Sequence, residues 1–436
     1  MMLIDATAAG LFQALTHIIV VTPQPSRAFR ERFLDWLVRN GARARSLPQL
    51  LDAWCRVMNA EGFDIFRCNL ATEAVHPLIS NTRHVWFPVV TDPGPINPAV
   101  VIERRQFEID GAMVDEVLFN TGSQKNPQYL ASPFAKVEAV GELYEEVRPV
   151  GEPQSYPLFD DLARAGCTAY YARRLESFAG LLQKFGLSTR RPGGFDEARL
   201  ADLRWSVDLL TLPLNTLMEH SAKETLARCY VGVDPGRRVC DGMITRGIIV
   251  SDEAVVWFSD LRGFTAMGEG VDNETLVASL NDYFDAIVPV IYAACGEVLK
   301  YIGDAVLAIF PHRSYPDAQA ACIAAIGAAH EASAALDRVN ARRADTGLSQ
   351  LRHGIGLATG TYSYGNIGAR ERLDFTAIGS TVNLASRVEG LTKEVGRPVL
   401  CTERVHQLAQ LEGDFVGSFN LKGIAEPVDL YVPFAR

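Results

Sequence analysis

At 436 residues, with 48% apolar and 22% charged side chains, the chain has a globular balance and more length than one hydrophobic core usually serves, so two domains are expected. The 52 acidic against 42 basic side chains leave a formal charge of −10, which argues against a general nucleic-acid binder. Its eight cysteines are scattered, with no CxxC and no His-rich tract, which argues against a disulfide framework or a zinc site and fits a reducing cytosol.

In chain order, the first apolar stretch, Leu11 to Val21, carries Gln13, Thr16 and His17 and falls short of the roughly 20 residues a membrane helix needs. It also lacks the basic leader and small-residue cleavage pattern of a secretory signal, so a soluble, cytoplasmic protein with no membrane partner is expected. Ser26 to Asn40 reads as a helix: Ser26 caps it, Phe29, Phe33, Trp36 and Leu37 share a face, and Gly41 ends it. A second helix is predicted over Pro48 to Asn59. From Phe63 the pattern turns to short β-like runs, Phe63 to Leu70, Val85 to Val90, Val100 to Ile109 and Val114 to Phe119, separated by turn clusters such as DPGPINP. Two more such runs, Thr168 to Ala172 and Phe178 to Leu187, lead to a RRPGGF turn and an amphipathic helix from about Asp196, which Pro213 should kink or interrupt. The polar, turn-rich text from Lys223 to Glu253 reads as a connector. The predicted organisation is thus a mixed α/β domain over 1–222, a connector over 223–253 and a second domain over 254–436.

In that second domain the periodicity is crisp. Ala254 to Ser259 reads as a strand, Asn273 to Ala294 as a helix, and Glu297 to Tyr301 and Ala305 to Phe310 as two strands around an Ile302-Gly303-Asp304 turn. A helix from Pro316 to about Val339, a strand from Leu351 to Thr359 and a helix from Thr381 to about Val395 follow. This βαββαβ order predicts an α+β fold of the ferredoxin-like or polymerase-palm kind. Asp260 closes the first strand and Asp304 sits at the hairpin tip, an arrangement able to bring two carboxylates within metal-bridging distance. Hard oxygen ligands in a His-poor neighbourhood favour Mg²⁺ or Mn²⁺, and two such ions could activate a hydroxyl and neutralise a triphosphate. An Asp beside Gly is also a common turn residue, so either one taken alone leaves both readings open.

Three blocks carry a resemblance. FSDLRGFT (Phe258 to Thr265), LKYIGDAVLAIF (Leu299 to Phe310) and DFTAIGSTVNLASRVEG (Asp374 to Gly390) resemble, in order and spacing, the signature blocks of class III nucleotidyl cyclases. The similarity covers Ala254 to Arg436 and implies an adenylate cyclase that converts ATP to cyclic AMP and pyrophosphate at sites shared between the two chains of a homodimer. By that resemblance Asp260, Asp304 and the backbone carbonyl of Leu261 hold two Mg²⁺ or Mn²⁺ ions, while Phe264 and Thr265 lie in the loop over the phosphates. Asn383 and Arg387, four apart on one helix face, match the pair that orients the ribose and stabilises charge at the α-phosphate. Lys300 and Thr376 fall at the base-selecting positions, where Lys points to adenine and guanine-specific members typically carry Glu and Cys. Arg397 and Lys422 match cations at the β- and γ-phosphates, and Thr361 to Leu373 matches an arm that reaches across the dimer. Two other classes stay open: a nucleotide-binding module that signals by conformation, and a palm enzyme making cyclic dinucleotides, although YIGDAV stands where the latter would have GGDEF.

The span from about Phe63 to Leu217 is loosely similar to GAF-type sensor domains, which implies a regulatory domain receiving an unidentified small-molecule signal. Such folds bind cyclic nucleotides, chromophores or metabolites, or only dimerise. Cys55, Cys68 and Cys167 are isolated, and His76, His84 and Trp86 form no ligand signature. The helix near Leu200 to Leu226 and the connector up to Ile249 are expected to transmit the signal.

Overall fold

The computed structural model describes residues 25–176 and 180–434, and these divide between two compact units, Met1–Lys223 and Glu224–Arg436. The Leu11 to Val21 stretch and the expected strand start at Phe178 lie outside the described residues.

In the first unit, helix α1 (Arg27–Arg39) begins where the Ser26 side chain accepts from the Phe29 amide, and it buries Phe29, Phe33 and Leu37. Helix α2 (Leu47–Ala60) opens in the same way on Ser46, with Pro48 in its first turn. Seven strands, β1 (Ile65–Glu73), β2 (Ile79–Phe87), β3 (Val101–Ile109), β4 (Ala112–Asn120), β5 (Glu142–Glu146), β6 (Ala169–Leu175) and β7 (Gln183–Thr189), form one sheet in the order β3-β4-β2-β1-β7-β6-β5. Every neighbouring pair is antiparallel. Between β4 and β6 lie the short helices α3 (Pro127–Leu130), α4 (Pro133–Val140) and α5 (Pro157–Arg164). Alternation along the strands sends Cys68, Leu70, Trp86, Phe185 and Leu187 into a core with α1, α2 and the start of α6 (Glu197–Val231). Trp86 belongs to that core, its indole N–H donating to Asp52 at 2.8 Å. The opposite face is roofed by α4 and α5 through Phe134, Val137, Phe159 and Leu162.

Two expectations are corrected. Pro213 does not interrupt its helix: α6 runs unbroken past it to Val231, because the one hydrogen bond proline removes is outweighed by the ladder on either side and by burial of Leu210, Pro213 and Leu214. Nor is the 223–253 segment turn-rich throughout. After α6 the chain turns at Gly232 into α7 (Val233–Cys240), where a Cβ on Gly236 would lie 2.6 Å from the Ala227 carbonyl carbon, so glycine alone permits this close helix crossing. Asp234, the buried acid of α7, accepts from Arg238 Nε at 2.6 Å and Arg237 Nη2 at 2.8 Å, offsetting charges that the sequence presents as a solvated run.

The second unit then supplies β8 (Ile249–Leu261), α8 (Phe264–Gly268), α9 (Asn273–Ala293), β9 (Glu297–Ile302), β10 (Ala305–Pro311), α10 (Ala318–Asp345), β11 (His353–Gly368), β12 (Leu373–Ile378), α11 (Ser380–Val395), β13 (Val399–Thr402), α12 (Glu403–Ala409), β14 (Gly413–Phe419) and β15 (Val428–Pro433). Strand order is β14-β15-β13-β11-β8-β10-β9, with β12 added to β11. The run β11-β8-β10-β9 is the fourth-first-third-second order of a ferredoxin-like βαββαβ unit. Helices α9 and α10 cover one face over Trp257, Tyr283, Ile287, Ile291, Phe310 and Ile326. By length and composition α9 could cross a membrane, yet its Tyr283, Ala286, Ile287 and Ile291 are buried in this core. The other face holds Val256, Leu307, Ile309, Ala358, Tyr362, Tyr364 and Phe375.

Both β8 and β11 outrun their predicted lengths, because their outer halves pair with each other from Thr359↔Val255 to Gly365↔Ile249. The distal part of β11 continues into a hairpin with β12 and bends over the sheet. In a flat sheet β12 and β9 would stand four strand spacings, about 19 Å, apart. Lys300 of β9 is nevertheless ion-paired with Asp374 of β12, so the hairpin curls across the Leu299, Leu307 and Phe375 face.

Candidate active site

The antiparallel ladder sets the acidic pair. Val306 of β10 faces Ser259 of β8, so Asp260 lies beside the start of β10, and Asp304 occupies the two-residue turn between β9 and β10. Their carboxyl groups come within hydrogen-bond reach. Burial first, and then the negative charge of Asp304, push the Asp260 carboxyl up to about 6. Among the described residues neither acid is ion-paired to a cation. Leu261 is buried in the core and pairs with His353 on β11, so its role at the site could involve only its backbone.

After Leu261, Gly263 takes a left-handed conformation (φ 78°) that turns the chain into α8. Phe264 opens that helix and packs on the main core. Thr265 follows it; its side chain lies outside the described set.

Helix α11 is seated on β11 by two glycines. A Cβ on Gly356 would stand 2.3 Å from the Glu389 amide nitrogen, and one on Gly354 would stand 2.1 Å from Thr392 Oγ1. The hydroxyl of Thr381 donates to the Thr361 carbonyl at 2.8 Å and fixes the helix start. With its inner face so fixed, α11 turns Asn383 and Arg387 outward, both exposed.

That seating also brings in a residue the sequence reading missed. Glu389 sits over Gly354, the β11 residue that faces Asp260. Burial, then the charge of Asp260, and more weakly that of Asp304, push its carboxyl up to about 7 against the opposing pull of Arg262. The three acids do not converge tightly enough to make a three-ligand metal cluster among the described residues. The available signal was the alternating Gly354-Ile355-Gly356, a bare strip in a buried strand that marks a close helix approach.

Lys300 and Thr376 lie on β9 and β12, which the curl of the hairpin brings together. Thr376 faces Gly365 across the β11–β12 ladder and is two residues from Asp374. Lys300 and Asp374 line a groove of about 760 Å³ with Tyr301, Phe375 and Asn366. Asp374 is a second residue missed from sequence. Arg397 lies just past α11, exposed, its carbonyl accepting from Arg262 Nη2 at 3.0 Å, which puts it at the Asp260 end of the sheet. Lys422 is exposed in the β14–β15 turn. A single chain thus joins Asp260 to Asp304 and Lys300 to the Thr376 strand, while Asn383, Arg387, Arg397 and Lys422 face outward and line neither place.

Residues 249–432 match the family model of the adenylate and guanylate cyclase catalytic domain. Adenylate cyclase 1 of Rhizobium meliloti (strain 1021) is 36% identical over 186 residues, covering 41% of this chain and 27% of that protein. The adenylate cyclase of Anabaena cylindrica is 37% identical over 185 residues, covering 40% of this chain and 36% of that protein. The chain thus matches about a quarter to a third of the length of these curated relatives. Among solved structures, the adenylyl cyclase CyaB from P. aeruginosa is 27% identical, with 43% of this chain and 96% of that chain covered and a TM-score of 0.40. Residues 249–432 thus combine the signature blocks, the ferredoxin-like strand order and a match to the family model of the adenylate and guanylate cyclase catalytic domain.

Proposed function

We propose that the chain is an adenylate cyclase, forming cyclic AMP and pyrophosphate from ATP at sites shared between two copies. The observation that carries this reading is the juxtaposition of Asp260 and Asp304, two half-buried acids with no cationic partner among the described residues. Such a pair, with the Leu261 carbonyl, has the donor chemistry that fits Mg²⁺ or Mn²⁺. When bound, these ions would neutralise triphosphate charge and ease loss of the ribose 3′-hydroxyl proton.

The chain's own residues do the rest. The 3′-oxygen bonds to the α-phosphorus as the bond from that phosphorus to the bridging oxygen breaks, and pyrophosphate leaves with that oxygen. Arg387 offers a guanidinium to the charge growing on the α-phosphate, and Asn383 an amide to the ribose. Among the described residues neither side chain has a partner of its own, as suits groups that act on a ligand held by another copy. Lys300 donates to the adenine ring with Thr376 beside it, and Arg397 and Lys422 bind the departing phosphates. Lysine rather than glutamate at position 300 favours ATP over GTP, as do the two adenylate cyclases matched above.

Regulation by the first unit belongs to the same proposal. It is supported by the order of the segment before β8, where helix α6 continues to Val231 and crosses α7 at Gly236.

The test has two stages. Purified protein is incubated with ATP or GTP and Mn²⁺, and the products are separated by chromatography; cyclic AMP from ATP is expected. A chain carrying Asp260→Ala is then mixed with one carrying Arg387→Ala. Each alone is inactive, and heterodimers recover one of the two composite sites. Proven heterodimers without recovery would refute a shared site, and no cyclic nucleotide from either triphosphate would refute the activity.

A further inference from the structure

The first unit carries an arrangement that cyclase chemistry does not use. On the face of its sheet opposite the main core, Arg67 and Asn69 of β1, Arg83 of β2 and Lys184 of β7 project side by side, because Ala71 pairs with both Arg83 and Lys184. In a two-layer domain such a polar face is normally solvated. Here α3, α4 and the strand edges roof it, leaving a cavity of about 230 Å³ whose remaining wall is largely apolar, with Phe119, Phe134 and Leu158.

The nearby acids are already committed. Asp115 accepts from Arg104 through two hydrogen bonds, at 2.7 and 3.1 Å. Glu138 is paired with Lys184, and Glu73 accepts from the Leu182 amide at 2.8 Å. Among the described residues this leaves Arg67 and Arg83 without an ion pair. Arg83 has the Phe119 ring 5.4 Å away and the charge of Asp115 nearby, but its Nε–H is buried with no acceptor. The side-chain oxygen of Asn69, a residue 6% exposed, is likewise buried without a donor. Burial lowers the pKa of both guanidiniums, and Arg67 lowers that of Arg83 further, to about 10.

Two like charges held side by side in a half-buried wall, opposed only by carboxylates already engaged with other donors, are costly to a fold that gains nothing from them. Their planar donors suit a carboxylate, and the volume is below the roughly 300–1,000 Å³ of pockets for drug-sized ligands, which excludes a nucleotide. We propose that this cavity binds a small organic acid, its carboxylate taken by Arg67 and Arg83 and its apolar body lying against Phe119, Phe134 and Leu158.

Titration calorimetry on the full chain tests this with hexanoate, 3-phenylpropionate and 4-phenylbutyrate, each against its uncharged amide. At least one acid binds saturably and at least about ten-fold tighter than its amide, as loss of charge-assisted hydrogen bonds requires. Binding is lost in both Arg67→Met and Arg83→Met. Stability is read separately by urea unfolding followed through tryptophan fluorescence, since Trp36, Trp54, Trp86 and Trp205 of the five tryptophans lie in this unit. Without ligand the Arg83→Met midpoint rises, because a buried repulsion is removed. The proposal is overturned if no acid binds, if acid and amide bind alike, or if Arg83→Met lowers the midpoint, which would mark the arginine as structural. None of these readouts depends on cyclase activity.

Discussion

Replacing Asp304 by Asn separates what the acidic pair does for the reaction from what it costs the fold. In the free protein the Asp260 carboxyl is raised from 3.8 to about 6, which at this half-buried, solvent-screened site corresponds to a cost on the order of 2 kcal/mol. Burial is the larger cause and the charge of Asp304 the next, and one neighbouring charge at a half-exposed site contributes on the order of 1 kcal/mol. A carboxyl with a raised folded-state pKa favours folding while protonated, and this contribution is lost as pH rises from near 4 through 6. At pH 8 without divalent ions, Asp304→Asn is therefore more stable than the parent chain by about 1 kcal/mol. With Mg²⁺ the order reverses: the parent gains about 1.4 kcal/mol at ten times its Kd, and the variant, having lost a ligand, gains little. Hydrogen exchange of peptides from β8 and β10, in EDTA and in Mg²⁺, reads both effects. About five-fold slower exchange is expected for the variant in EDTA. Faster exchange there, or an Mg²⁺ response equal to the parent's, would refute the reasoning that the pair is a strained site awaiting cations.

Three further outcomes follow from the same geometry. Gly356→Ala drives a methyl group into the backbone of α11 at Glu389, so it costs about 1–3 kcal/mol in urea unfolding and most of the activity, since Asn383 and Arg387 shift with the helix. Glu389→Gln removes a carboxyl raised from 4.5 to about 7, whose contribution to stability is lost as pH rises through that range; in EDTA the variant gains about 1–2 kcal/mol at pH 8 and nothing at pH 4.5, by urea unfolding at the two pH values. Deleting residues 1–222 changes specific activity or its dependence on protein concentration; unaltered values for both would remove the regulatory role assigned to the first unit.

The acidic pair was legible because each member sits at a local landmark. Asp260 ends an apolar run and Asp304 follows a glycine between two β-like runs, so pairing of short neighbouring strands was enough to join them. Glu389 and Asp374 were not legible, since one reaches the site through helix seating on a bare strip of strand and the other through the curl of a hairpin. Both depend on tertiary geometry; the only trace of the first lay on another element, the Gly354-Ile355-Gly356 strip, and the second left none. Pro213 misled because a proline's local cost was weighed without the burial around it. The Val233 to Cys240 segment misled for the opposite reason: its polar text hid a helix whose charges are offset among themselves and by a tyrosine far along the chain, Tyr364, whose hydroxyl donates to Asp234 at 3.4 Å. The Arg67 face alternates as a solvent-facing strand would, and only the roof over it shows otherwise.

The ion pair between Lys300 and Asp374 bears on the purine contact proposed for Lys300. A free lysine keeps many rotamers, and freezing them on contact with a base subtracts from affinity. Tethered to the far edge of its own sheet, this ammonium has much of that freedom removed while the chain folds. One of its three hydrogens serves the tether and two remain for an incoming ring nitrogen. Adenine would then meet a donor already aimed, and any twist of the hairpin that carries Asp374 would spoil the aim before it disturbed the acidic pair.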